Sequence, residues 1–244
     1  MTLRLGWGWA NRVLGFIVLA TLLIPLLVMK PRVQPSSRRK MLDLAAFREP
    51  AYLLFSLGLF FVFVGLYIPF FYMPTFAQEV AHANDNLASY FVAILNAGSF
   101  FGRLIPNMLA DKVGAWQVLI PVTVFTGIFG LIWIGVKTVA GIVVLCIFYG
   151  FFSGAVISIP PSALVVISPN LAVVGTRMGM CFSFAGLGLL IGSPAGGAII
   201  GTSASFKGVA GYTGALVLTG SACFVFAWTL YQRKTRQATA AAPA

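Results

Sequence analysis

Seven apolar stretches, each about twenty residues or longer, constrain this chain more than any other feature. They run over residues 10–29, 51–76, 87–109, 116–136, 139–167, 177–201 and 211–231. A hydrocarbon layer about 30 Å thick is crossed by roughly 20 helical residues. No water reaches backbone N–H and C=O groups inside that layer, so a spanning segment is a helix or part of a closed barrel. Barrel strands alternate apolar and polar residues over about ten positions, and these stretches do not. Composition agrees. Of 244 residues, 59% are hydrophobic and 9% charged, against about 25% charged in a soluble domain. The expected fold class is an all-α polytopic membrane protein of about seven transmembrane helices, with the lipid bilayer as its solvent.

The net charge of +11 does not point to nucleic acid, because the basic residues sit in connectors and at chain ends. Twelve of the sixteen fall on one side of the expected spans: Lys30, Arg32, Arg38, Arg39, Lys40, Arg48, Arg103, Lys112, Arg177, Arg233, Lys234 and Arg236. Arg4, Arg12, Lys137 and Lys207 fall on the other. Cytoplasmic loops collect Lys and Arg, which places the C-terminus in the cytoplasm and the N-terminus outside. The plasma membrane is the expected location. The first stretch lacks a clean cleavage site and ends in "VMKPRVQ", so it is read as a span rather than a signal peptide. Domain limits follow: a first span over 1–29, a basic loop over 30–50, a six-helix bundle over 51–231 and a disordered tail over 232–244. Within the loop, "MLDLAAF" fits either a short interfacial helix or a solvated hinge. Trp116, Trp133, Trp228 and Tyr231 are among the aromatic residues near span ends, as in an interfacial belt.

The third stretch carries the polar residues of interest. Ser89, Asn96, Ser99, Arg103 and Asn107 are spaced by seven, three, four and four residues, which sets them along one helix face. Lipid cannot satisfy such a stripe, so it is expected to face other helices or a water-filled path. Arg103 alone could snorkel to the headgroups, a reading that does not account for Asn96 or Ser99. The candidates for a solute path are Asn96, Ser99 and Arg103, with Ser153 of the fifth stretch. In the sixth stretch Gly188, Gly192 and Gly196 recur every fourth residue beside Pro194, a pattern that lets helix backbones approach closely. "SIPPS", from Ser158 to Ser162, breaks the fifth stretch.

All five acids, Asp43, Glu49, Glu79, Asp85 and Asp111, lie outside the expected spans, so the chain alone offers no intramembrane carboxylate relay. The single histidine, His82, sits in a polar connector. Cys146, Cys181 and Cys223 lie in apolar runs without a CxxC pair and read as small buried hydrophobes. No HExxH, P-loop, GxSxG or nucleotide fingerprint occurs. Neither an enzyme, a cofactor nor a metal site is indicated.

"GRLIPNMLADKVG", from Gly102 to Gly114, resembles the cytoplasmic loop signature in the second half of major facilitator superfamily transporters, Gly-x-x-x-Asp-basic-x-Gly. Asp111, Lys112 and Gly114 match it, while Asn107 stands at the leading glycine. "EPAYLLFSLGLFFVFVGLYIPFFYMPTFA", "NAGSFFGRLIPNMLAD" and "GTRMGMCFSFAGLGLLIGSPAGGAI" are similar to the fungal monocarboxylate-porter-like branch. The resemblance implies twelve spans in two halves, of which this sequence matches the sixth span and the C-terminal half. It therefore implies a secondary transporter moving a small organic solute, such as a monocarboxylate, by alternating access. Such a chain would be truncated or would depend on a partner, either a complementary N-terminal half or a second copy. Better-known monocarboxylate carriers place an acid one turn before the arginine, where this chain has Ser99. The alternatives are a non-transporting membrane fragment or regulator and a seven-helix receptor. The receptor reading lacks an Asp-Arg-Tyr after the third span and an Asn-Pro-x-x-Tyr in the seventh.

Overall fold

The computed structural model describes residues 2–30, 42–203 and 205–240. It divides into two compact units, Met1–Arg39 and Lys40–Ala244. The first contains α1 (Thr2–Val28), interrupted at Gly6, where φ is +73°. The second contains a 3₁₀ turn (Leu44–Arg48), α2 (Pro50–Leu66), α3 (Ile68–Ala81), α4 (Asp85–Val113), α5 (Ala115–Ile132), α6 (Val139–Ser158), α7 (Pro160–Ile167), α8 (Leu171–Ser203) and α9 (Phe206–Ala240). Seven helical stretches among the described residues are long and apolar enough to cross a membrane. The chain is an integral multi-pass membrane protein.

Prolines shape two of the spans. Pro69 has no N–H for the turn before it, and the second span divides at Tyr67 into α2 and α3. Near this break the Leu66 carbonyl accepts a 2.8 Å bond from the buried Tyr149 hydroxyl. The fifth span divides at Ile159, ahead of Pro160 and Pro161. There the Trp116 indole donates to the Ala163 carbonyl at 2.9 Å. Trp116 and Trp133 are each 1% exposed, so these two aromatics belong to the packed interior, not to an interfacial belt.

Helix contacts in the second unit are set by glycine. α4 packs most extensively on α6, while α2 packs on α9 and α8. Gly98 and Gly102 of α4 meet the backbone of Ile147 and Phe151, and Gly150 and Gly154 of α6 meet the backbone of Leu95 and Ser99. A methyl group on Gly98 would lie 2.6 Å from the Ile147 carbonyl. Gly188 and Gly192 of α8 sit against the backbone of Phe60 and Val64 in α2. A methyl on Gly196 would meet the Tyr72 ring at 3.4 Å, an ordinary contact. Tyr72 donates its hydroxyl to the Ser193 carbonyl at 2.9 Å, beside Pro194.

Several details differ from the sequence reading. The sixth span begins at Leu171 rather than 177, because Asn170 accepts from the Val173 N–H at 3.2 Å and caps the helix early. Arg177 is consequently inside α8 and not in a connector. The segment after 231, expected to be disordered, continues α9 to Ala240, since its Gln, Arg, Lys and Ala are good helix formers. The 30–50 loop contains the 3₁₀ turn, in which Ala46 is buried. Arg32, Arg38, Arg39 and Lys40 of that loop, and residues 241–244 of the tail, lie outside the described residues.

Substituting Gly102 with Ala should lower the thermal unfolding midpoint of the detergent-solubilised protein, with overpacking costing about 1–3 kcal/mol. Gly179→Ala, where the added methyl meets nothing within 4 Å, should leave the midpoint unchanged or raise it slightly.

Candidate functional site

The predicted polar stripe divides in two. α4 presents Ala88, Phe91, Leu95, Ser99, Gly102, Pro106 and Ala110 as its buried face. Ser99 is 3% exposed, held at the seam where Gly154 reaches its backbone. Its hydroxyl has no hydrogen-bond partner. Ser153, also buried, donates to the Gly150 carbonyl at 3.0 Å within its own helix. Both serines are thus in the α4–α6 contact and do not line an open path. On a helix Ser99 lies about 60° round from Asn96 toward α6, at roughly 100° per residue.

Asn96 and Arg103 remain on the exposed side of α4. They are seven residues apart, two turns or about 10 Å along the axis. Asn96 donates to the Val92 carbonyl at 2.8 Å, which leaves its amide oxygen available. The other exposed residues from 93 to 105 are Ala93, Ala97, Phe100, Phe101, Leu104 and Ile105. Arg103 is therefore a cation set in an apolar face. The two ion pairs among the described residues both belong to Arg177, so no carboxylate neutralises it there. Asn107 donates to the Arg103 carbonyl and is half-buried. Ser89 is exposed near the start of the helix.

The loop motif ends α4. Asp111 and Lys112 are exposed. Gly114 alone joins α4 to α5 with φ 106°, a conformation available to glycine and costly for other residues. Gly102, counted with the motif by sequence, packs against the Phe151 backbone.

The structure adds a polar cluster that the sequence reading missed. Arg177, 3% exposed, donates to both carboxylate oxygens of Glu49 at 2.9 and 2.6 Å. Its Nε reaches Asp43 at 3.2 Å. The guanidinium lies 5.3 Å from the Tyr52 ring centre, and the Tyr52 hydroxyl donates to the Arg177 carbonyl at 2.9 Å. One buried cation thus joins α8, the start of α2 and the segment before it. The fork geometry of arginine suits this bidentate pairing. "PNLAVV", from Pro169 to Val174, carries the capping signal that would have placed Arg177 inside a helix.

A bundle of apolar helices that leaves Asn96 and Arg103 on the exposed side of α4 defines a polytopic membrane protein. The sequence pattern described as Major Facilitator Superfamily matches residues 1–174, more than half of the chain. The chain belongs to this family. It is 43% identical over 199 residues to the MFS-type transporter dbaD of Emericella nidulans, covering 82% of this chain and 45% of that protein. It is 37% identical over 216 residues to the Aspyridones efflux protein apdF of the same organism, covering 88% and 44%. Against the Agnestins efflux protein AgnL12 of Paecilomyces divaricatus it is 34% identical over 227 residues, covering 92% and 51%. The chain spans about half the length of these curated relatives.

Glu49→Ala should destabilise the protein more than Asp43→Ala, because it removes two of the three charged hydrogen bonds from a buried guanidinium. Breaking such a pair costs about 3 kcal/mol or more, read as a fall in the denaturation midpoint in detergent.

Proposed function

We propose that this chain forms one side of a secondary transporter that moves a small organic anion, such as a monocarboxylate, by alternating access. The observation that carries this reading is Arg103, an arginine without a carboxylate partner on the exposed face of α4. A permanently charged guanidinium in an apolar surface is stabilised by water, by an opposing carboxylate or by an anionic solute. Its planar fork matches a carboxylate in two-point contact. Asn96, two turns away, offers an acceptor and orients the rest of the solute. Names such as Aspyridones efflux protein and Agnestins efflux protein support outward movement of an organic molecule.

Alternating access takes two bodies moving about a shared site. In this reading α4 and α8 supply one wall. Their spans are the least buried of the six-helix unit, at 33% and 22% of the most apolar window, against 61% for Pro50–Ala81. The opposing wall comes from a complementary helical body, whether an N-terminal half or a second copy. Basic connectors favour a C-terminus in the cytoplasm. Asp111 and Lys112 then belong to the cytoplasmic edge.

Arg103→Leu in the assembled transporter should reduce flux of labelled short monocarboxylates at least tenfold, an effect expected from losing a charge-assisted bidentate contact of about 1.5–3 kcal/mol. Arg103→Lys should be intermediate, because an ammonium is a point charge without the fork. Wild-type flux in Arg103→Leu, with protein abundance matched, would remove Arg103 from the path.

A further inference from the structure

Phe100 shares a narrow strip of α4 with Asn96 and Arg103. At about 100° per residue, Arg103 lies roughly 20° to one side of Asn96 and Phe100 roughly 40° to the other, a sector of about 60° in all. Phe100 is one turn from each, four residues after Asn96 and three before Arg103. It is 63% exposed. Phe101 meets it with ring centres 5.4 Å apart and planes at 83°, which restricts how the Phe100 ring turns. The cation–π contacts among the described residues are those of Arg12 with Trp9 and of Arg177 with Tyr52. The Arg103 guanidinium therefore does not cap the Phe100 ring.

A phenylalanine facing lipid needs no explanation. Phe100 differs because its own sector of the helix holds a guanidinium and an amide, which lipid cannot satisfy. Whatever surface or solute covers Arg103 therefore also meets the ring one turn away. Three residues separate the two, about 4.5 Å along the axis. A ring attached to the carboxylate carbon of an anion held by Arg103 spans that distance. A saturated body there would gain only from burial. An aromatic one gains a further factor of about two to ten from offset or edge-on stacking. Ala93 and Ala97, both exposed, present only methyl groups beside the ring and leave room for a flat partner.

We propose that Phe100 is a specificity-determining residue that selects organic anions whose carboxylate is carried on a flat aromatic ring. Arg103 holds the carboxylate, and Phe100 stacks against the ring that bears it. This inference rests on the transport reading of Arg103 and adds to it the class of solute, aromatic carboxylates over saturated ones of the same skeleton.

The test reconstitutes the full chain, with any partner that co-purifies, in liposomes. Flux of labelled 2-naphthoate is compared with that of labelled decahydro-2-naphthoate, the same skeleton without its π system, after subtracting flux through protein-free liposomes. The wild type should favour the aromatic anion about fivefold in kcat/KM. Phe100→Leu should bring that ratio to about one by slowing 2-naphthoate alone, at matched protein abundance and an unchanged unfolding midpoint. Phe100→Tyr, which keeps the ring, should keep the preference. Arg103→Leu should slow both anions. A wild-type ratio near one, or a ratio that Phe100→Leu leaves unchanged, overturns the role of Phe100 and leaves the transport reading standing. So does an equal fall of both fluxes in Phe100→Leu, which would place the ring against an opposing helix instead of a solute. Absence of protein-dependent flux, or flux that Arg103→Leu does not reduce, overturns the transport reading and this inference with it.

Discussion

Two helices in lipid gain little by burying apolar side chains against each other, because the lipid they displace is equally apolar. Their association depends on how closely the backbones approach. In this protein that constraint is met at the α4–α6 seam, where Gly98, Gly102, Gly150 and Gly154 bring each helix onto the other's carbonyls. The seam fixes the rotation of α4 about its axis. With Gly102 inward, Ser99 is drawn into the contact, while Asn96 and Arg103 are turned to the open side. The position of the candidate site is thus a consequence of packing on the opposite side of the same helix.

The same economy governs the broken helices. A proline inside a span removes an N–H, and the carbonyls nearby need donors that lipid cannot supply. Close to these prolines, long aromatic side chains with a polar tip donate to backbone carbonyls of neighbouring helices. Tyr149 serves Leu66, Trp116 serves Ala163 and Tyr72 serves Ser193, each across a helix interface. The first two bonds join a neighbouring helix to the divided spans, and the third ties α3 to α8 beside Pro194. The buried tryptophan at position 116 stacks on Trp228 with ring centres 5.3 Å apart, which extends the link to α9.

Much of this was legible in the sequence. Seven spans, the Pro-driven division after Ser158 and the spacing of glycines in α8 all follow from local patterns. The angular position of Asn96 relative to Arg103 follows from the helical repeat. What the sequence left open was which way each helix turns. Ser99 differs from Asn96 by about 60° of rotation, and only the partner helix decides on which side of the boundary it falls. Arg177 was misplaced for a different reason. Its charge looked like the edge of a span, whereas Glu49 and Asp43, more than a hundred residues earlier, neutralise it inside one. No local window contains that pairing. Trp133 shows the same limit: proximity to a span end suggests an interface, but Phe76 and Phe206 enclose it.

Arg103 and Arg177 show how environment separates a neutralised charge from an open one. Both are permanently protonated and both sit in apolar helices. Arg177 has its donors matched by two carboxylates and its face covered by Tyr52, so its field is largely cancelled within a few ångströms. An anion approaching it would have to displace Glu49 from a bidentate contact. Arg103 has no such competitor among the described residues, and the surrounding Phe100, Phe101, Leu104 and Ile105 do little to screen it. Low-dielectric surroundings strengthen an unneutralised charge. The attraction available to an arriving carboxylate is therefore larger at the exposed arginine than at the buried one. Burial identifies Arg177 as a tie between helices, whereas Arg103 keeps its guanidinium free of any carboxylate among the described residues.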